Sequence, residues 1–187
     1  MKFYKKLIGD RIYLSPQNTE EIEKFTEWMN DFNVTDYIGR SNKVITYEDE
    51  KAYFEKSIED TYQFFIVTKD EDKLIGTISL NKIDLVNRIS TLGIFIGDKG
   101  YRDKGYGTEA IRLLLDFGFN YLNLNNIKLD LISFNERALK CYKKCGFKEY
   151  GRRRQSIFIN GEYYDTIEMD ILASEFTEDY IRNKNIK

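Results

Sequence analysis

The residues best suited to chemistry lie in a glycine-rich segment, positions 97–110, which follows a predicted strand and precedes a predicted helix. Gly105 and Gly107 let the backbone approach a ligand without interference from a Cβ atom. The first N–H groups of a helix attract anions because they lie at the positive end of its dipole. Arg102 and Lys104 add positive charge. The segment predicts a phosphate-binding loop, although an ordinary glycine-rich connection has the same composition.

The absence of histidine limits the acid–base chemistry that this chain can perform. Histidine-dependent catalytic triads and HExxH zinc sites are excluded. The two cysteines, Cys141 and Cys145, lie four residues apart in a predicted helix and cannot complete a zinc site alone. We therefore expect no metal, and a general acid or base chosen from Asp, Glu, Tyr, Lys, Cys or water.

Length and composition predict one domain over residues 1–187, with a partly frayed tail at 173–187. Hydrophobic residues make up 42% of the chain, and the net charge is −2. Because the charges are balanced, we expect no nucleic-acid partner. Because no apolar run approaches the length of a membrane span, we expect no membrane contact and a cytoplasmic location.

Hydrophobic periodicity predicts strands and helices in alternation. The predicted strands cover 11–14, 63–68, 74–81, 89–96, 127–132, 147–153 and 163–170; the predicted helices cover 19–30, 107–122 and 135–145, with another beginning at Thr46. The strand–helix–strand unit from 89 to 132 predicts two parallel neighbouring strands. Residues 31–43 are expected to be irregular.

Two phosphate-binding motifs compete for the glycine-rich segment. A P-loop is excluded because Gly107, rather than lysine, precedes Thr108. A dinucleotide-binding loop is an alternative, because Gly105, Gly107 and Ala110 match GxGxxA. Against it, the motif lies past the middle of the chain, and Asp130 falls inside a predicted strand rather than at its end.

Two signatures resemble those of the GNAT superfamily of N-acetyltransferases. Arg102-x-x-Gly105-x-Gly107 matches its pyrophosphate loop, and the segment from Asn135 to Phe147 resembles its second signature, N-x-x-A-x-x-x-Y-x-K-x-G-F. The resemblance implies an α+β fold with α/β/α layers. Its central sheet would be mixed and mostly antiparallel, with about seven strands, a splayed parallel central pair and about four helices. The segments 9–14 and 160–165 resemble the RimJ/RimL and spermidine acetyltransferase branch.

The resemblance also implies where acetyl-CoA binds, between the two parallel strands. The implied contacts are backbone groups near the end of the first strand, amides of the glycine-rich loop, and one face of the following helix. The implied cofactor-binding residues are Ile94, Phe95, Ile96, Arg102, Asp103, Lys104, Gly105, Tyr106, Gly107, Thr108, Asn135 and Ala138. Asn135 would hydrogen-bond the pantetheine arm.

Tyr142 is the expected general acid, since it shares a helix face with Asn135 and Ala138. A phenol is protonated at neutral pH and can donate a proton to the departing CoA thiolate. The general base stays open between Asp84 and an ordered water. Glu109, at a helix start, suits a role toward the helix dipole.

The predicted function is acetyl transfer from acetyl-CoA to a primary amine. The acceptor stays open among a small amine, a polyamine, an aminoglycoside and a protein N-terminal amine. A non-catalytic CoA-binding regulatory module is the alternative of another class, followed by a dinucleotide-binding domain. The sequence also leaves open whether the chain forms a homo-oligomer.

Overall fold

An eight-stranded mixed sheet runs through the residues that the computed structural model describes, 2–55 and 61–181. The strands are β1 (Leu7–Ile8), β2 (Ile12–Pro16), β3 (Tyr62–Thr68), β4 (Leu74–Asp84), β5 (Ile89–Ile96), β6 (Asn126–Ile132), β7 (Lys148–Ile159) and β8 (Glu162–Leu172). Their order in the sheet is β1-β2-β3-β4-β5-β6-β8-β7. The β5–β6 pair is parallel, and the other neighbouring pairs are antiparallel.

Helices cover both faces of the sheet. They are α1 (Ile22–Met29), α2 (Phe32–Thr35), α3 (Tyr47–Glu55), α4 (Tyr106–Asp116), which continues into a π-helical turn at Phe117–Tyr121, and α5 (Glu136–Lys144). Alternation along the strands sends Ile66 and Ile78 to a core shared with α4, and Phe65 and Val67 to a core shared with α1. This arrangement confirms the predicted α/β/α layering.

The parallel pair β5–β6 is hydrogen-bonded over a short stretch. Residues pair at Ile89 with Asn126, at Ser90 with Ile127, and at Thr91 with Lys128. Beyond Thr91, β5 continues to pair with β4 but not with β6, so the two parallel strands diverge. The predicted splayed central pair is therefore present.

Several boundaries differ from the sequence predictions. The sheet has eight strands rather than about seven, because β1 is two residues long and too short for a periodic signal. The stretch 31–43 contains α2, whose start is capped by the Asp31 side chain accepting from Asn33 N–H at 2.9 Å. The helix predicted over 19–30 begins with a 3-10 turn at Thr19–Glu21, and Asn18 caps that turn because its side chain accepts from Glu20 N–H.

The described part of the C-terminal tail packs on the domain. The Phe176 ring lies 5.5 Å from that of Phe119. Ile181 is buried, and its N–H donates to the Asp116 carboxylate at 2.7 Å. Residues 182–187 lie outside the described residues, as do 56–60, where the sequence predicts Ile58 on the apolar face of the helix that begins at Thr46.

Candidate active site

A cleft of about 1180 Å³ opens where β5 and β6 diverge. Its walls come from the loop before α4, from α5, from α3 and from the sheet face below α1. Because parallel strands that diverge leave a gap at their carboxyl ends, the fold itself creates this space.

The loop before α4 has the conformation expected of an anion cradle. Asp103 and Gly105 adopt left-handed backbone conformations, with φ of 58° and 85°. Gly105 caps α4, so the N–H groups of residues 106–108 have no partner within the helix. A Cβ atom added at Gly107 would have no neighbour closer than 3.9 Å, so the backbone here is open to the cleft.

A clamp formed by Arg11 and Glu109 holds this loop against the first strands. The Glu109 carboxylate accepts from the N–H groups of residues 10–12 at 2.6, 2.8 and 3.3 Å. The Arg11 guanidinium pairs with Glu109 at 3.2 Å and donates to the Lys104 carbonyl at 2.9 Å. It also stacks 4.5 Å from the centre of the Tyr106 ring. Glu109 therefore joins the start of α4 to the segment before β2, in addition to its expected interaction with the helix dipole.

The Arg102 side chain is directed at backbone carbonyls. It donates to Ile96 at 2.9 Å, to Gly97 at 3.0 Å and to Asn33 at 3.0 Å. Burial lowers the pKa of this guanidinium, and the charge of Arg137 acts in the same direction. Arg102 thus joins the end of β5 to α2, and the sequence argument that its charge serves a phosphate stays a prediction.

Asn135 begins α5. Its side-chain oxygen accepts from Ala138 N–H at 3.1 Å, and its amide nitrogen is 3.5 Å from the Tyr37 carbonyl. The Tyr37 ring also contacts Arg137, whose guanidinium carbon lies 5.1 Å from the ring centre. One Asn135 amide hydrogen is left for a ligand, because an amide has two hydrogens to donate.

Tyr142 lines the cleft two helical turns after Asn135 and is 8% exposed. Its ring lies 6.0 Å from that of Phe147. Its hydroxyl has no hydrogen bond to the described part of the chain. Burial raises the pKa of Tyr142, and the nearby Cys141 and Asp130 act in the same direction. The phenol is therefore protonated at neutral pH and has a proton to donate.

The backbone of β5 presents an unpaired edge to the cleft. Residues 92–95 pair with β4 on one side, whereas the β6 ladder ends at Thr91. Their N–H and C=O groups that point toward β6 have no partner strand, and an extended ligand can hydrogen-bond to such an edge. The predicted contacts of Ile94 and Phe95 fall on this stretch, and that of Ile96 follows directly after it, where the Ile96 carbonyl already accepts from Arg102.

The other half of the cleft has a polar floor on the sheet. Gln63, Ser79, Asn81 and Thr91 line it, on the face that carries α1 and α3. A Cβ atom added at Gly93 would lie 3.2 Å from Ser79 Oγ and 3.3 Å from Asn81 Nδ2, so glycine keeps this floor open. Thr91 precedes Ile96 by five residues, which places this part of the floor about 16 Å along β5 from the start of the glycine-rich loop.

The helix cysteines contact the start of α4. Cys141 Sγ lies 3.2 Å from Thr108 Oγ1, and Cys145 Sγ lies 3.8 Å from the Thr108 carbonyl. The neighbouring Cys145 thiol lowers the pKa of Cys141 to about 7, and the hydrogen bond with Thr108 acts in the same direction. A thiol with a lowered pKa thus lines the cleft beside the start of α4.

Most residues predicted for the site do line the cleft. Within the described ranges this holds for Ile94, Phe95, Ile96, Arg102, Asp103, Gly105, Tyr106, Gly107, Thr108, Asn135, Ala138 and Tyr142. Lys104 is exposed and does not line it. Asp84, considered as a base, lies outside the cleft in the β4–β5 turn, where its carboxylate accepts from Val86 and Asn87 N–H groups.

Sequence reasoning missed Glu50, a buried residue of α3 that lines the cleft. Its signal was present, because Glu50 shares a helix face with Tyr53 and Phe54, the apolar residues of the helix that the sequence predicts to begin at Thr46. In the described part of the chain, no group of three acidic, cysteine or histidine side chains could hold a metal ion. No described helix has the length and apolar character to cross a bilayer.

Comparison with known proteins identifies the family. The model of the GNAT acetyltransferase domain matches residues 11–148. Spermidine N(1)-acetyltransferase of Vibrio cholerae is 33% identical over 132 residues, which are 70% of this chain and 76% of that protein. The probable N-acetyltransferase YjcK of Bacillus subtilis is 30% identical over 174 residues, which are 85% of this chain and 92% of that protein.

The fold agrees with that of solved relatives. The crystal structure of spermidine N-acetyltransferase from Vibrio cholerae in complex with CoA and spermine superposes with a TM-score of 0.82 at 26% identity, covering 90% of this chain and 99% of that one. The geometry of the site, with its splayed strands and glycine-rich loop, points to the same family as the matches in sequence and fold. The chain belongs to the GNAT family of acetyltransferases and is an acyltransferase that uses acetyl-CoA.

Proposed function

We propose that this enzyme transfers the acetyl group of acetyl-CoA directly to a primary amine, with Tyr142 as the general acid. The observation that carries the proposal is the position of Tyr142. Its hydroxyl has no partner within the described residues and lines the same cleft as the phosphate loop and the unpaired edge of β5.

The donor half of the cleft suits an extended molecule with phosphates at one end. The free N–H groups of residues 106–108, and the loop residues before them, would hold the pyrophosphate. The β5 edge at residues 92–95 would pair with the amides of the pantetheine arm. The remaining amide hydrogen of Asn135 would reach the same arm. Each of these contacts stays a prediction.

The chemistry assigned to Tyr142 follows from charge balance. The neutral amine attacks the thioester carbonyl, the C–N bond forms, and the C–S bond breaks. The sulfur leaves with the electron pair of that bond, and the phenol supplies the proton that neutralises it. Because burial raises the pKa of Tyr142, the phenol stays protonated over the whole neutral range. The proton that the acylated nitrogen loses passes to water.

The acceptor that we propose is a small amine of the polyamine type. The relatives that carry spermidine in their names support this choice, as does the polar floor beside Gly93. A protein N-terminal amine is the second candidate, because the sequence resembles the RimJ/RimL branch as well. A screen of polyamines, aminoglycosides and N-terminal peptides with acetyl-CoA separates these acceptors.

Tyr142→Phe tests the catalytic assignment. We expect kcat to fall by about 10²–10⁴, the usual contribution of a general acid, while the Kd for acetyl-CoA stays near that of the wild type. Steady-state kinetics and calorimetric titration measure the two quantities. Tyr150→Phe, at an exposed tyrosine of β7, is the matched control and should leave both unchanged.

A kcat of Tyr142→Phe within about threefold of the wild type would remove Tyr142 from the general-acid role. Binding of acetyl-CoA without turnover on any acceptor would instead support the regulatory-module alternative. Thermal protection by NAD and none by CoA would contradict the donor assignment itself.

A further inference from the structure

Glu50 is exceptional among the buried carboxylates of the described residues. Those carboxylates belong to Glu21, Glu50 and Asp116. Glu21 pairs with Lys2 at 2.5 Å, and Asp116 accepts from Ile181 N–H at 2.7 Å. Glu50 is 7% exposed, and its carboxylate has neither a hydrogen bond nor an ion pair with a described residue. Neither Glu50 oxygen is among the fully buried polar atoms that lack a hydrogen bond, so the carboxylate reaches the cleft and has no fixed partner there.

The charges around Glu50 do not supply the missing partner. Arg40 lines the same cleft and attracts the carboxylate, but no Arg40 nitrogen lies within 4 Å of it. Asp49, the neighbouring acid, repels it, and the Asp49 carboxylate is itself held by Thr46, whose hydroxyl donates at 2.6 Å. Burial raises the pKa of Glu50, as expected of a carboxylate that lacks a cation.

Glu50 lies in the half of the cleft that has the polar floor, where the proposed acceptor would bind. It lies on the face of α3 that also carries Tyr53, whose hydroxyl accepts from Gln63 at 2.8 Å. Gln63 in turn pairs with Ser79 in the sheet, beside the opening at Gly93. The carboxylate and the polar floor line one cavity, so a ligand on that floor lies in the field of Glu50.

We infer that Glu50 is a specificity-determining residue that binds a positively charged group of the acceptor. A carboxylate favours the protonated form of an amine that it contacts, and a protonated amine cannot attack a thioester. The group held by Glu50 is therefore a second, non-reacting ammonium. The acceptor class is an amine with at least two cationic centres, such as a diamine or longer polyamine. This inference rests on the proposed function and deepens it.

The test compares two acceptors of similar length. 1,4-Diaminobutane carries a second ammonium, whereas 4-amino-1-butanol carries a neutral hydroxyl at that end. For Glu50→Gln we expect kcat/KM toward the diamine to fall about 30-fold through KM, as for loss of one partner of a buried charge pair. The kcat, the KM for acetyl-CoA and the kinetics toward the amino alcohol should stay at wild-type values.

Glu48→Gln is the matched control, because Glu48 is an exposed acid of the same helix and does not line the cleft. It should leave both acceptors unaffected. The melting temperature of Glu50→Gln should equal or exceed that of the wild type, because the substitution removes a partly desolvated charge that has no hydrogen bond or ion pair within the described residues. A clear loss of thermal stability would overturn the assignment by showing that the carboxylate is satisfied inside the protein.

Calorimetric titration with the diamine tests the role of Glu50 separately from acetyl transfer. If the wild type acetylates amines and Glu50→Gln handles the diamine equally well, the Glu50 assignment is wrong while acetyl transfer stands. If the wild type acetylates no amine, acetyl transfer fails, and diamine binding to the protein in the presence of CoA still decides the role of Glu50. Binding that is lost in Glu50→Gln supports the assignment; no binding by the wild type, or equal binding by both, overturns it.

Discussion

Replacement of Glu109 by alanine should destabilise the protein more than the same replacement of an ordinary acidic residue at a helix start. The carboxylate accepts from three backbone N–H groups and from the Arg11 guanidinium, at 2.6 to 3.3 Å. A hydrogen bond to a charged group contributes about 1.5–3 kcal/mol, and three of these bonds share one oxygen. We therefore expect a loss of about 2–4 kcal/mol for the whole set rather than the sum of four bonds.

The loss should appear in thermal unfolding. For a chain of this length, 1 kcal/mol shifts the melting temperature by about 2–4 °C, so Glu109→Ala should melt about 5–15 °C below the wild type. The Kd for acetyl-CoA should rise as well, because Arg11 loses the partner that orients it toward the Lys104 carbonyl. Calorimetry and a thermal melt measure the two effects.

Glu136→Ala is the matched control for this substitution. Glu136 is the first-turn acid of α5, is 78% exposed, and has a distant ion pair with Lys140 at 3.7 Å. Its replacement removes a favourable interaction with the helix dipole, worth about 0.3–1 kcal/mol. If Glu109→Ala lowers stability no more than Glu136→Ala does, the clamp contributes nothing beyond the dipole effect, and the reasoning is wrong.

Two further predictions concern other residues. Gly97→Ala should destabilise the protein by about 1–3 kcal/mol, because the added Cβ would approach the buried Trp28 ring to 2.2 Å. Chemical denaturation measures this loss, and an unchanged midpoint would contradict the close packing. Alkylation of Cys141 by iodoacetamide should rise with pH through its pKa of about 7, because the thiolate is the reactive form, and CoA should slow it. Cys141→Ser is the control, and a rate that is flat across this range would count against the lowered pKa.

The part of the fold that repeats with a regular period could be predicted from the sequence. The predicted strand 89–96 coincides with β5. Gly146 directly follows the predicted helix 135–145, where a glycine typically ends a helix, and it has a φ of 93°. By contrast, β1 is too short for a pattern, and α2 depends on one capping side chain, Asp31. Short elements are stabilised by tertiary contacts rather than by periodicity, so a sequence pattern could not reveal them.

Within the candidate site, the glycine-rich loop and α5 could be predicted far better than the polar floor and α3. Gly105, Asn135 and Tyr142 lie within two contiguous motifs, where spacing along one loop or one helix face fixes their relative positions. Glu50 and Ser79 come from distant segments of the chain, and folding alone brings them to one cavity. No local spacing encodes that proximity. The direction of the Arg102 side chain likewise depends on the Asn33 carbonyl, sixty-nine positions away.

The short parallel ladder also has a mechanical consequence. Five strands lie on one side of the β5–β6 junction and three on the other, and three residue pairs join the two halves. A ligand backbone that pairs with β5 beyond Thr91 would lengthen this seam and make the sheet stiffer. Amide hydrogen exchange at residues 92–95 should therefore slow when acetyl-CoA is bound, so that the donor completes the sheet as well as supplying the acetyl group.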